Sequence, residues 1–329
     1  MKRARIVGTG RALPEKVLTN ADFERMVDTS DEWITGRTGI KERRIASDQE
    51  ALSDFAIPAA REALEQAGID GKDVDLVIVA TVTPDTSFPA TSTQVQEAIG
   101  AGNAAAFDLS AACTGLIYSL AVVKSMIDAG AIKTAVVVGA EVLSKIVNYS
   151  ERSTSVLFGD GAGAVVVRGE QGEPGILSVA MHSDGSLGHL IDRPVGGSRH
   201  PIKSLESLGS EADLGYIRMR GNETFRVAVR SLAEVSHEVL ADYGVSPADV
   251  DWFIPHQANR RIIDAVGQRL AIPEGRTYVN VERYGNTSSA SIPIALDELN
   301  RSGELKSGHL VLLSAFGSGL TWGASLIRW

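Results

Sequence analysis

One cysteine, Cys113, stands in the stretch Ala111-Ala112-Cys113-Thr114-Gly115, where small neighbours leave room for a second molecule to approach the sulfur. A thiolate there could attack a carbonyl carbon and hold an acyl group as a thioester. A lone cysteine is also an ordinary core residue, and its local context leaves both readings open. His256, in Pro255-His256-Gln257-Ala258-Asn259, and Asn286, in Tyr284-Gly285-Asn286-Thr287-Ser288, could complete a site. Each can donate a hydrogen bond to an oxygen gaining negative charge. Taken singly, His256 fits a surface loop and Asn286 fits a helix N-cap. The run Gly317-Ser318-Gly319 would let backbone N–H groups turn inward, as an oxyanion hole requires.

The elements around these residues place them together. Ala105-Ala106-Phe107-Asp108-Leu109 reads as a strand, and 114–129 reads as a helix with Leu116, Leu120, Val123 and Ile127 at helical spacing and Gly130 as its stop. Cys113 then lies at a strand-to-helix turn, where free amides and the positive end of the helix favour a thiolate. His256 follows the apolar strand Trp252-Phe253-Ile254, at the functional edge of an α/β sheet. Val279-Asn280-Val281 reads as another strand, and 286–290 opens a helix, so that Asn286 falls almost where Cys113 does in the other half.

The halves themselves repeat. Glu62-x-Leu64-x-x-x-Gly68-Ile69 with Asp73-Val74-Asp75-Leu76 recurs without a gap as Glu238-x-Leu240-x-x-x-Gly244-Val245 with Asp249-Val250-Asp251-Trp252. Likewise Gly130-Ala131-Ile132-Lys133 and the strand 135–138 match Gly303-Glu304-Leu305-Lys306 and the strand 310–313. Apolar strands alternating with helices predict parallel strands buried on both faces. The expected fold is α/β, a layered α/β/α/β/α body with a pseudo-dyad, divided into an N-terminal half, 1–170, with the cysteine and a C-terminal half, 171–329, with the histidine and asparagine. The stretch from Asp192 to Asp213, rich in Gly, Ser and charge, reads as an exposed insertion.

A net charge of −9 over 329 residues argues against a general nucleic-acid binder, and one cysteine excludes an intramolecular disulfide. The histidines show no zinc-type spacing, and no metal is expected. Gly8, Thr9, Gly10 and Arg11 break any signal-peptide core, and Asp108, Ser110 and Thr114 interrupt the most membrane-like stretch, so a cytoplasmic, non-membrane protein is expected. Gly8-Thr9-Gly10 and Gly159-Asp160-Gly161-Ala162-Gly163 lack the strand-loop-helix context of a dinucleotide loop and predict close strand contacts.

Together the motifs resemble the β-ketoacyl-(acyl carrier protein) synthase III family of the thiolase-like superfamily. The matching stretches are Thr29-Ser30-Asp31-Glu32-Trp33-Ile34, Arg37-Thr38-Gly39-Ile40, Ala111 to Gly115, Phe158 to Gly163, His256 to Asn259, Tyr284 to Ser288, and Ala315-Phe316-Gly317-Ser318-Gly319-Leu320-Thr321-Trp322-Gly323. The likeness implies a duplicated five-layer αβαβα homodimer. Its substrates would be a short acyl-coenzyme A and malonyl-acyl carrier protein, with no cofactor besides the acyl-coenzyme A substrate. Cys113 would carry the acyl group, His256 and Asn286 would serve decarboxylation, and the Cys113 and Ser318 amides would hold the condensation oxyanion.

The resemblance further assigns Trp33, Arg37 and Arg152 to the nucleotide end of coenzyme A, and Gly221, Asn222 and Asn259 to its pantetheine arm. Arg261, with Arg260 and Arg226, would meet the acidic carrier protein. Phe88 would reach across the dimer into an acyl pocket lined by Leu143 and Phe158. Ser318 stands where the family often has glycine, Leu320 where it often has phenylalanine, and the insertion looks long. These departures bear on primer choice. A thiolase would need a second cysteine for proton transfer. An acyltransferase that passes the group from Cys113 to an alcohol, amine or specialised carrier is the competing enzyme reading. A non-enzymatic pairing subunit is disfavoured by the presence of Cys113, His256 and Asn286 together.

Overall fold

The computed structural model describes residues 3–172, 175–202 and 215–329; of the expected insertion, 203–213 lies outside the described residues. The sequence repeat is a repeat of hydrogen bonds. Helices α1 (Ser53–Ala67) and α4 (Gly221–Tyr243) end at Gly68 and Gly244 with φ of 62° and 71°, a left-handed conformation that glycine adopts without a Cβ clash. Just beyond, Ile69 N–H donates to Leu64 O and Val245 N–H donates to Leu240 O, each at 3.1 Å. The Asp75 carboxylate then accepts from Thr134 N–H at 2.9 Å, and that of Asp251 from Leu310 N–H at 2.8 Å. One acidic side chain thus starts the neighbouring strand in each copy.

The first sheet contains β1 (Arg3–Ala12), β2 (Leu76–Ala80), β3 (Ala105–Leu109), β4 (Thr134–Val142) and β5 (Asp160–Glu170) in the order β1-β5-β4-β2-β3. The second contains β6 (Ile176–Ser183), β7 (Trp252–Pro255), β8 (Leu310–Gly317) and β9 (Thr321–Arg328) in the order β7-β8-β9-β6. Both sheets are mixed, where the apolar runs predict parallel pairing throughout. The β2 strand is parallel to β3 and β4, and β7 to β8, but β5 is antiparallel to its neighbours β1 and β4, and β9 to β8 and β6. A short turn at 318–320 joins β8 to β9, and a hairpin that tight can only pair antiparallel.

Alternation within each strand divides the core. Val77 and Val79 face α1 and α2 (Thr91–Ala98) on the outer side of the first sheet, whereas Leu76 and Ile78 face inward. Inside lie α3 (Gly115–Asp128) and α6 (Ser291–Arg301), with Leu116, Leu120, Leu296 and Leu299 packed between the sheets. On the far side α4 and α5 (Arg260–Leu270) cover the second sheet through Leu232, Val239 and Val266. The result is an α/β/α/β/α stack. The Gly8 and Gly10 cluster serves this packing, since a Cβ on either would lie 2.3 Å from a carbonyl oxygen of α1. Among the described residues, no helix is long and apolar enough to cross a membrane.

The expected strand at 279–281 does not form. Thr277 makes an isolated parallel bridge with Phe253, and the chain then leaves the sheet edge. The Asn280 N–H is taken by the Gln257 side chain at 2.9 Å, and residues Val281–Tyr284 form a helical turn. A side chain from the histidine motif has replaced the ladder bond that a strand would need.

Candidate active site

Cys113 sits in a 3-10 turn, Ala112–Thr114, between β3 and α3. Ala112 has a φ of 46°, a strained value for a residue with a Cβ, and this bends the chain sharply ahead of the cysteine. The helix lies close to the first sheet because Gly115 has no side chain; a Cβ there would sit 2.6 Å from that of Ala80. From the second sheet Gly317 approaches so closely that a Cβ would lie 2.8 Å from the Cys113 amide nitrogen.

The second half supplies a similar turn, Ser288–Ala290, ahead of α6, with Ser288 at a φ of 50°. Matching the strained residues places Ser289, not Asn286, opposite Cys113, which corrects the pseudo-equivalence expected from sequence. Asn286 lies just before that turn, where its N–H donates to Leu157 O at 2.8 Å and its carbonyl accepts from Gly159 N–H at 3.0 Å. The Phe158-Gly159 motif is therefore a clamp on Asn286. Its Oδ1 accepts from Ser288 N–H at 2.8 Å, leaving the Nδ2 donors for the cavity.

His256 follows β7, its N–H bonded to Ser314 O at 2.8 Å and its Nδ1 lying 2.7 Å from Ser291 Oγ. Burial pushes its imidazole down to about 3, so it is neutral at physiological pH. Burial likewise pushes the Cys113 thiol up to about 12, against the smaller opposing influence of Ser288, while nearby Glu141 adds to the rise. The resting group is a thiol. The residue is half-buried and meets solvent at the cavity, but the position at a helix N-terminus does not yield the thiolate expected from sequence.

Two cavities meet at Cys113 and Asn286. The outer one, about 400 Å³, runs past His256 to Trp33, Arg37, Gly221, Asn222, Asn259 and Arg261. The inner one, about 270 Å³, is walled by Leu143, Phe158, Ser318, Ile146 and Ile217. Ser318 takes an ordinary negative φ, so its side chain is tolerated, and its hydroxyl donates to Ile191 O at 2.6 Å. Leu320 is buried in the outer core of the second sheet.

Arg152 lies outside the cavity wall but stacks on Trp33 at 4.5 Å, with Arg37 at 5.1 Å. Asn259 caps α5 by accepting from Arg261 N–H at 2.8 Å. Arg260 is paired with Asp264 at 2.8 Å, whereas Arg261 lies over Phe225 at 5.5 Å. Arg226 is exposed. Phe88 is 86% exposed and lines neither cavity of its own chain.

Sequence reasoning missed Glu141 and Ser291. Glu141, at the end of β4, is fully buried and accepts from Thr81, Thr83, Ser288 and Ser289 hydroxyls and from Val82 N–H. Burial pushes its carboxyl up to about 7 despite those bonds. The face of α4 that lines the outer cavity, with Thr224, Ala228 and Leu232, was missed as well, although its four-residue spacing is a helical signal.

Comparison with known proteins identifies the family. Residues 107–185 match the family model for 3-oxoacyl-[acyl-carrier-protein (ACP)] synthase III, and residues 240–329 match the model for its C terminal region. The chain is 51% identical to the β-ketoacyl-[acyl-carrier-protein] synthase III of Caldanaerobacter subterraneus subsp. tengcongensis, covering 99% of this chain and 98% of the relative. Identity to that of Clostridioides difficile is 50%, with 99% and 98% covered. The crystal structure of 3-oxoacyl-[acyl-carrier-protein] synthase III from Aquifex aeolicus superposes with a TM-score of 0.91 at 50% identity, covering 99% of this chain and all of that one. With the cysteine, histidine and asparagine drawn from both halves of a thiolase-like α/β fold, the chain belongs to the β-ketoacyl-[acyl-carrier-protein] synthase III family, condensing acyltransferases that initiate fatty acid synthesis.

Proposed function

We propose that the chain condenses a short acyl group from coenzyme A with a malonyl group on acyl carrier protein. The observation that carries this reading is the junction of the two cavities at Cys113 and Asn286, with His256 on the wall of the outer one. A thioester entering by the outer cavity places its carbonyl at Cys113 and its acyl chain in the inner pocket. Sulfur attacks the carbonyl carbon, the carbon–sulfur bond to coenzyme A breaks, and the thiol proton ends on the released coenzyme A sulfur.

A malonyl thioester then uses the vacated outer cavity. Its carboxylate leaves as carbon dioxide, and the electron pair becomes an enolate stabilised by donors on Asn286 and His256. The enolate carbon attacks the acyl-Cys113 carbonyl, whose oxyanion faces the Cys113 and Ser318 amides. Collapse expels the Cys113 thiolate, which takes a proton from solvent, and releases 3-ketoacyl carrier protein.

Trp33 with Arg37 and Arg152 suits an adenine and phosphates, since a flat ring and planar guanidinium groups stack and pair with both. The same reading gives Gly221, Asn222 and Asn259 to the pantetheine arm. It gives Arg261 to the acidic carrier, with Arg226 beside it and Arg260 weakened by its Asp264 partner. Leu143 and Phe158 bound the primer, and the exposed Phe88 side chain belongs to the pocket of a second copy in a homodimer. Residues 1–170 and 171–329 act as two halves that each contribute one wall.

Intact-protein mass spectrometry with a panel of acyl-coenzyme A primers, followed by malonyl-carrier, tests the proposal. One adduct should form on Cys113 and disappear as 3-ketoacyl carrier accumulates. Labelling and turnover of Cys113→Ala at the wild-type level would sink it. Acylation without a malonyl-dependent product would favour transfer to a different acceptor.

A further inference from the structure

A neutral imidazole carries one ring hydrogen, and the nitrogen that holds it decides whether His256 donates or accepts toward the cavity. Its Nδ1 is committed to Ser291 Oγ at 2.7 Å, so Nε2 is the nitrogen left for the reacting atoms. Ser291, the first residue of α6, is 2% exposed, and Gln257 N–H points at the same hydroxyl oxygen from 3.4 Å. If Nδ1–H donated to Ser291, that oxygen would receive two N–H groups. Its own hydrogen would then have no acceptor among the described residues. If Ser291 O–H donates to Nδ1, the buried groups are paired, with Gln257 N–H on Oγ and Oγ–H on Nδ1, and the imidazole hydrogen sits on Nε2, the nitrogen that faces the cavity. Buried polar groups adopt the arrangement that pairs them, because each orphan costs ~1–3 kcal/mol.

We propose that Ser291 is a positioning residue that holds His256 in the Nε2–H tautomer, making the imidazole a hydrogen-bond donor to the substrate carbonyl and not a base for Cys113. The proposal rests on the condensation reading above and deepens it. The segment 286–291 then orients both donors, since Ser288 N–H turns Asn286 Nδ2 outward as Ser291 turns His256 Nε2–H outward. Ser291 touches no substrate in this arrangement; it acts through the ring.

Nitrogen-15 NMR of histidine-labelled full-length protein without substrate tests the tautomer, with His256→Ala used to assign the signal. Wild type should show a protonated Nε2 and an unprotonated, hydrogen-bonded Nδ1. Ser291→Ala should give a mixture of tautomers. Its malonyl decarboxylation kcat should fall about 10- to 100-fold, short of the ~100- to 1,000-fold of losing an oxyanion donor outright. Its KM for the malonyl carrier should stay within about twofold of wild type, and its Cys113 acylation should be unchanged, because uniform binding is untouched. Ser291→Thr, which keeps the hydroxyl, should restore the tautomer and most of the turnover. A wild-type spectrum of the Nδ1–H form overturns the proposal whatever the variants do. So does Ser291→Ala with the tautomer unchanged, whether turnover is kept or lost. Because the spectrum needs no substrate, failure of wild-type acylation would count against the condensation reading alone.

Discussion

Cys113 is pulled in opposite directions by the helix end beside it and the side chains packed around it. A helix N-terminus contributes up to ~2 kcal/mol toward the thiolate. Burial lifts the thiol from 9.0 to about 12, roughly 4 kcal/mol toward the neutral form, so burial wins. Alkylation of Cys113 by iodoacetamide should therefore keep accelerating between about pH 6 and 10; a plateau near pH 7 would mean a resting thiolate and restore the dipole argument. His256 and Glu141 shift in opposite senses, with opposite consequences for stability. His256 is depressed from 6.5 to about 3, so its contribution is present above 6.5 and lost as pH falls toward 3. Glu141 is raised from 4.5 to about 7, so its contribution is present below 4.5 and lost as pH rises toward 7. Between 4.5 and 6.5 the two slopes oppose each other. Denaturation midpoints of Glu141→Gln should then rise with pH across that window more steeply than those of wild type. Equal slopes would show that the carboxyl titrates normally.

At the scale of elements, glycines decide how closely the layers approach. A Cβ on Gly10 would lie 2.3 Å from Ala59 O, and backbone on both sides leaves no side chain to yield. Gly10→Ala should cost about 3 kcal/mol, seen as a lower denaturant midpoint at unchanged slope. Unchanged stability would mean that α1 can retreat from β1. Elements of this kind were legible from sequence because repeat, helix stops and apolar runs are local signals. Cys113, His256 and Asn286 were found through the same landmarks, each beside a strand end or turn. Strand direction was not legible: burial on both faces makes a strand apolar whichever way its neighbour runs, as β5 and β9 show. The strand expected at 279–281 failed for a long-range reason, the Gln257 side chain occupying Asn280 N–H. Glu141 and Ser291 escaped notice similarly. A buried polar residue is recognisable only through its partners, and Ser288 is 147 residues from Glu141.

For the whole molecule, the site exists only while the halves are pressed together, since Cys113 enters on the turn leading into α3 and Asn286 on the chain leading into α6. Packed apolar residues supply the area of that central layer, but an ionic cluster fixes its register. Asp297 on α6 is fully buried, accepts from Thr9 Oγ1 of β1 at 2.8 Å, and lies 3.5 Å from Arg11 and 2.8 Å from Arg301. Arg301 in turn reaches Glu62 on α1 at 2.8 Å. Glu298 beside it binds Arg11 at 3.0 Å and Arg283 at 2.9 Å, and accepts from the Tyr284 hydroxyl at 2.7 Å. Replacing the buried Asp297 carboxylate by an amide turns one of its two acceptor oxygens into a donor facing guanidinium N–H groups, and a buried mismatch of that kind costs ~1–3 kcal/mol. Asp297→Asn should therefore lower stability by ~1–3 kcal/mol, although it lies outside both cavities. The shared layer also predicts how the loss is distributed. The rise of Cys113 alkylation above its native rate and the loss of helical circular dichroism should move together to lower denaturant as one transition. Separate midpoints, with Cys113 exposed while most helix remains, would show that the halves part before they unfold and that this cluster does not couple them.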